Sequence, residues 1–212
     1  MTMKSRLSFK HPGVLAALCI PLWCAVASAT TLSPSASGEI FNDFTVANAD
    51  TATSTATPFT LTGEFLTNEQ FAVFEFDLSS ISAPVVSASF KFTGTSVLSA
   101  ADLAVFGYEG DGVVSLDDLN NTGPNFASFE PITDSGTPVS IDVTGYVQTL
   151  APYSGVFVGF EVWDNTLGSG PGSGATISDA SLMLTLVPEP STLALAGFGV
   201  IALAACLWRR KR

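Results

Sequence analysis

Between Thr30 and Val187 the chain has no cysteine, no histidine and no arginine, and its one basic residue is Lys91. Each absence excludes something. Without cysteine the segment forms no disulfide, so its 158 residues must hold together by core burial, which a chain of that length can do. Without histidine or cysteine, the groups available for catalysis or metal binding shrink to carboxylates, hydroxyls and a single amine. Eighteen acids against one base leave this segment at −17. A surface so acidic repels phosphate backbones, which excludes nucleic acid as a partner. It attracts cations, Ca²⁺ among them.

The remaining positive charge is gathered at the two ends. Lys4, Arg6, Lys10 and His11 precede an apolar stretch from Gly13 to Ala27, and Ala27-Ser28-Ala29 follows as a small-x-small site. This order predicts a secretory signal peptide over residues 1–29, cut before Thr30. Signal peptidase and the Sec translocon are then the expected partners at this end. Cys19 and Cys24 leave with the peptide. Lipoprotein processing at Cys24 is disfavoured, because Trp23 stands where a small residue is needed.

At the other end, 16 apolar residues from Leu193 to Trp208 are followed by Arg209, Arg210, Lys211 and Arg212. As a helix the run would span about 24 Å at ~1.5 Å per residue. Trp208 and the cations would carry it to the interface, and the positive-inside rule puts the basic tail in the cytoplasm. Residues 193–208 therefore read as a transmembrane helix, with the acidic segment outside the inner membrane. Ahead of the run stand Val187, Pro188, Glu189 and Pro190. The two prolines keep these residues extended and outside the helix.

The acidic segment itself contains short runs spaced by Gly, Pro, Asn, Asp and Ser. QFAVFEFDL (70–78) puts Ala72, Phe74, Phe76 and Leu78 on one face and Glu75 and Asp77 on the other. VVSASFKF (85–92) alternates in the same way. Further runs are LAVFGY (103–108), VSIDV (139–143), VFVGFEVW (156–163) and SLMLTLV (181–187), with EIFNDFTVA (39–47) and FTLTGEF (59–65) less regular. A period of two filled by Val and Phe predicts half-buried antiparallel strands. Eight of them predict an all-β fold, a jelly-roll-like β-sandwich over residues 39–187. Residues 30–38 read as a flexible leader, 168–175 as a loop, and 115–121 and 145–150 as single helical turns.

Candidate chemistry is sparse. Glu75 with Asp77, or Glu161 with Asp164, could form the carboxylate pair that a glycoside hydrolase needs at about 5 to 9.5 Å. Acids on the outer face of a strand are more often its solvated side, and no catalytic residue is assigned. YEGDGVVSLDDLNN crowds Glu109, Asp111, Asp117 and Asp118 around Gly112, a partial fit to a Ca²⁺ loop. Aligning Gly112 to the loop's glycine leaves Gly107 in the first ligand position, with no donor to offer. Tyr108, Tyr153 and Trp163 are the candidates for stacking on sugar rings.

Two resemblances add to this reading. Pro188-Glu189-Pro190-Ser191-Thr192, an apolar helix containing Gly197 and Gly199, and Arg209-Arg210-Lys211-Arg212 together resemble the PEP-CTERM sorting signal over residues 188–212. The resemblance implies export by a Gram-negative bacterium and a transient anchor removed near Pro-Glu-Pro by the membrane peptidase exosortase. It also implies delivery to the cell surface or an extracellular polysaccharide matrix. Separately, Phe76-Asp77-Leu78-Ser79-Ser80-Ile81 and Ile141-Asp142-Val143-Thr144 with Tyr146-Val147-Gln148 resemble exported β-sandwich modules of the DNRLRE and disaggregatase-related type, over residues 70–162. The expected function is a sorted surface or matrix protein. A carbohydrate-binding module is the first alternative and a polysaccharide hydrolase the second.

Overall fold

The computed structural model describes residues 27–43, 50–62, 68–120, 123–124, 126, 130–165 and 172–187, with residues 198, 199, 201, 202, 206 and 209. Among them are eleven strands. The first four are β1 (Ser28–Leu32), β2 (Ala36–Asp43), β3 (Thr51–Ser54) and β4 (Phe59–Thr62). The long central ones are β5 (Asn68–Asp77), β6 (Val85–Leu98) and β7 (Ala101–Gly110). Short β8 (Glu130–Ile132) and β9 (Thr137–Asp142) precede β10 (Phe157–Asp164) and β11 (Gly174–Leu186). An α-helical segment, α1 (Thr144–Thr149), and a 3-10 turn, Leu116–Asn120, lie between these strands.

All of these pairings are antiparallel, and the hydrogen-bonded order is β8-β7-β10-β5-β4-β11-β6-β9. The order divides where β5 and β4 meet through only two residue pairs, Leu61 with Gln70 and Thr62 with Glu69. On one side lie β5-β10-β7-β8, and on the other β4-β11-β6-β9. From β4 to β7 successive strands change sheet, as do β9, β10 and β11, which is the jelly-roll winding. β2 extends the first sheet along the free edge of β5, with β3 outside it, and β1 extends the second sheet beside β11.

Alternation along each strand sends one set of side chains between the sheets. Phe74 and Phe76 of β5, Phe90 of β6 and Phe160 of β10 meet there, all essentially without solvent exposure. Phe90 and Phe160 stack at 4.7 Å, and the Phe76 ring meets Phe90 edge-on at 6.0 Å. Leu103, Val105, Val158, Ile177 and Leu184 fill the same layer. This is the disulfide-free core that the composition required.

Differences from the sequence reading concern backbone pairing. Residues 30–38 are not a leader: Thr30–Leu32 pair with Leu184–Leu182, and Ala36 onward pairs with β5. The side chains there are small and polar, and only Leu32 reaches the core, so main-chain hydrogen bonds hold what periodicity does not mark. β3, TATS, escapes notice for the same reason, and β8, whose Ile132 is buried in the core, because three residues are too few to show a period. β11 begins at Gly174, inside the expected 168–175 loop, whose residues 168–171 lie outside the described set. The two helical turns fall at 116–120 and 144–149 as expected.

The signal-peptide residues 1–26 lie outside the described residues, as do Pro188, Glu189 and Pro190 and most of 193–212. Phe198, Gly199, Ile201, Ala202, Cys206 and Arg209 are helical. Phe198 and Ile201 are 58% and 64% exposed, so neither is packed in the sandwich core. Among the described residues no helix is long and apolar enough to cross a membrane.

Candidate functional site

The first sheet has a second populated face. Opposite the core, β5 turns out Glu69, Phe71, Val73 and Glu75, β10 turns out Glu161 and Trp163, and β7 turns out Phe106 and Tyr108. Ladder register sets these side by side: Glu161 lies across from Phe106 on one side and Val73 on the other, and Asn42 of β2 lies across from Glu69. Ile40, Phe71, Val73 and Tyr108 form a small buried cluster here, against which Val114, Leu119 and Trp163 pack. The loop 111–120 roofs one end of this face. At the uncovered end a hollow of about 250 Å³ remains, lined by Asn42, Glu69, Phe71, Phe106, Leu119, Glu161 and Trp163.

The roof is pinned by a buried carboxylate. Glu75, with no exposed surface, accepts hydrogen bonds from the Tyr108 hydroxyl at 3.0 Å and the Gly112 amide at 2.5 Å. Glycines make room for this. A Cβ on Gly159 would meet the Tyr108 ring at 2.1 Å, and one on Gly110 would meet the Glu75 carboxyl at 2.6 Å. The glycine inside VFVGFEVW is therefore where a tyrosine ring lies across the strand. Asp118, 4% exposed, accepts from the Ser115 amide at 2.7 Å and closes the turn. Burial raises the carboxyl of Glu75, its two donors oppose the rise in part, and the Asp118 and Asp111 charges add to it.

In the hollow itself, burial pushes Glu161 up to about 7, helped by the charges of Asp118 and Glu69. Burial also raises Glu69. The aromatic walls touch: Trp163 sits 6.4 Å from Phe71 and 6.0 Å from Phe106 between ring centroids. Its indole nitrogen is buried and has no hydrogen-bond partner among the described residues, an uncommon state for a polar group out of water. A pocket with polar groups set among aromatic faces can take a sugar or an organic cation.

Of the three stacking candidates only Trp163 lines this hollow. Tyr108 is 2% exposed and committed to Glu75, and Tyr153 is 7% exposed in the core between the sheets. Tyr108 therefore presents no ring face to a ligand, while Tyr153 borders a separate hollow lined by Ile81, Pro84, Gln148 and Pro152. The Ca²⁺ set does not assemble either: among the described residues no group of three or more acids could hold a metal ion. Strand alternation explains part of this, since Glu109 falls on the opposite face of β7 from Tyr108. There it adds to the burial that raises the Tyr146 hydroxyl. Asp111 instead caps its own turn through the Val113 amide at 2.8 Å, and Asp117 is exposed.

Both carboxylate pairs come apart. Glu75 is sealed under the roof, whereas Asp77 is exposed and accepts from the Ser79 amide at 2.8 Å. Glu161 faces the hollow, while Asp164 is fully buried with opposite parity, accepting from the Asp102 amide at 3.1 Å and the Ser173 hydroxyl at 2.5 Å. Sequence reading missed Glu69, Phe71 and Phe106. The available signal was that β5 is apolar on both faces at Phe71 and Val73, which marks a strand covered twice.

Comparison with known proteins bears on the C-terminal end. Residues 186–211 match the PEP-CTERM protein-sorting motif. The chain thus carries the signal of C-terminally sorted exported proteins, which implies processing by exosortase. No curated protein matches the chain. Among solved structures it is similar to CBM35 from Paenibacillus barcinonensis, at 14% identity over 71% of this chain and 90% of that one. The TM-score is 0.24, and so loose a superposition carries no argument. The DNRLRE-type resemblance of residues 70–162 is not confirmed by these comparisons.

Proposed function

We propose that this chain is a surface or matrix protein of the cell envelope, exported through the Sec translocon, trimmed by signal peptidase and exosortase, and binding extracellular polysaccharide through the outer-face hollow. The observation that carries the binding half is the placement of Trp163 beside Glu161 and Glu69 in an open depression walled by Phe71 and Phe106. Aromatic faces stack on the C–H faces of sugar rings, and carboxylates accept from their hydroxyls. The sorting motif supports the address. The test is a glycan array probed with the secreted, processed protein: binding is expected, and it is lost on Trp163→Ala. No binding above background would remove this reading.

A second reading comes from Glu161, raised by burial and lining the hollow with Glu69, as a candidate acid and base of a glycosidase. It predicts release of reducing sugar from a bound polysaccharide, abolished by Glu161→Gln. We expect binding without release.

A further inference from the structure

We infer that the hollow takes a cationic glycan, one bearing free amino groups, in preference to a neutral or acidic one. The inference rests on the binding reading above and narrows its ligand. Two carboxylates line the hollow, Glu69 from β5 and Glu161 from β10, and Asp118 of the roof, turned to the Ser115 amide, adds its charge from beside it. The fold supplies nothing to balance them. Lys91 is the only base between Thr30 and Val187. It lies on β6 in the other sheet, with its amine 3.7 Å from the Met183 sulfur. The carboxylates of the hollow are therefore neutralised either by protonation or by a cation from outside the segment.

The walls suit such a guest. Phe71, Phe106 and Trp163 surround the acids, and an ammonium held against aromatic faces gains cation–π attraction, strongest with Trp. An amine would donate charge-assisted hydrogen bonds to carboxylates that are half withdrawn from water, where such bonds are stronger than in bulk. An anionic uronic acid would meet the opposite: repulsion from the same three groups inside a domain of net −17. Burial raises Glu161 to about 7, which disfavours its charged form in the hollow. A bound cation reverses that balance.

The test uses the processed, secreted protein and calorimetric titration with two probes of equal length, a glucosamine oligosaccharide and its fully N-acetylated form. The amine form is expected to bind at least tenfold more tightly, and the Glu69→Gln, Glu161→Gln double variant to lose that margin. The neutral form, which keeps its stacking on Trp163 but loses acceptors for its hydroxyls, should weaken in the same variant by a smaller factor than the amine form. Because any polycation is drawn to so acidic a protein, Asp179→Asn on the other sheet serves as a control, and it should change the margin less than twofold. Equal binding of both probes, dependent on Trp163, would overturn the inference while leaving polysaccharide binding standing. An effect of Asp179→Asn as large as that of the double variant would reduce it to general charge attraction and overturn it as well. Absence of binding by either probe would remove both.

Discussion

Ser28 stands directly opposite Leu186 in the antiparallel register of β1 and β11. The expected signal-peptide cut and the sorting motif therefore meet at one end of one sheet. The chain is pinned up to the motif, since the Val187 amide donates to the Pro84 carbonyl at 2.9 Å. An antiparallel pair is also what two oppositely directed membrane segments would need if both enter the same bilayer.

The first prediction follows from this register. Cleavage before Thr30 removes Ser28 and Ala29 but leaves Thr30–Leu32 paired with Leu184–Leu182. Mass spectrometry of the secreted protein should find Thr30 as the first residue and an end at or shortly beyond Val187, near Pro188–Pro190. Recovery of secreted chains that retain Arg212 would contradict C-terminal processing. Deleting Thr30–Leu32 from the processed form should lower its melting temperature, because it exposes the free edge of β11 and uncovers Leu32's contact with the core.

Glu75 under the roof leads to a second prediction. Tyr108→Phe removes one of two donors to a fully buried carboxylate and should destabilise the protein by about 1–3 kcal/mol. Glu75→Gln should cost less, since its amide can turn so that Oε1 accepts from the Gly112 amide while the NH₂ donates to the Tyr108 hydroxyl oxygen. Gly159→Ala should be more damaging than either, as its methyl occupies the place of the Tyr108 ring. Denaturant melts would check the order. A neutral Gly159→Ala would mean that the ring does not lie where it is described.

Stability should fall as pH rises through neutrality. Glu161 moves from 4.5 to about 7, and Glu69, Glu75 and Asp118 are raised as well, burial being the first cause in each. The folded state then binds protons more tightly than the unfolded chain between about 4.5 and about 7, so unfolding becomes easier as those protons leave. Asp77 and Asp142 act oppositely, held below 3.8 by hydrogen bonds from Ser79 and Thr144, and their stabilisation is lost only in stronger acid. Thermal melts should therefore show a maximum in mild acid and a decline toward pH 8. Glu161→Gln should flatten that decline, and a melting temperature that climbs from pH 5 to 8 would refute the account.

Core packing supplies the largest single effect. Phe90 contacts Phe74, Phe76, Phe92 and Phe160, with centroids between 4.7 and 6.0 Å. Phe90→Ala should cost about 3–5 kcal/mol. Phe106→Ala, on the half-exposed wall of the hollow, should cost less and should weaken ligand binding instead.

What was legible in the chain follows from side-chain chemistry that acts locally. Alternating Val and Phe in 70–78, 85–92 and 156–163 determined the strands and their core face, and the absence of cysteine determined that burial alone would hold them. The Pro-Glu-Pro, apolar and basic order at the C-terminal end was equally readable, because sorting motifs are recognised as linear segments. Pairing of β1 and β3 was not legible, since main-chain hydrogen bonds are indifferent to the small polar side chains those strands carry. The hollow was decided by tertiary structure. Asn42, Glu69, Phe106 and Glu161 come from four strands spread over 120 residues of sequence, and only lateral register makes them neighbours. The same register separates Glu161 from Asp164 and Glu109 from Tyr108, because one residue along a strand is the opposite side of a sheet.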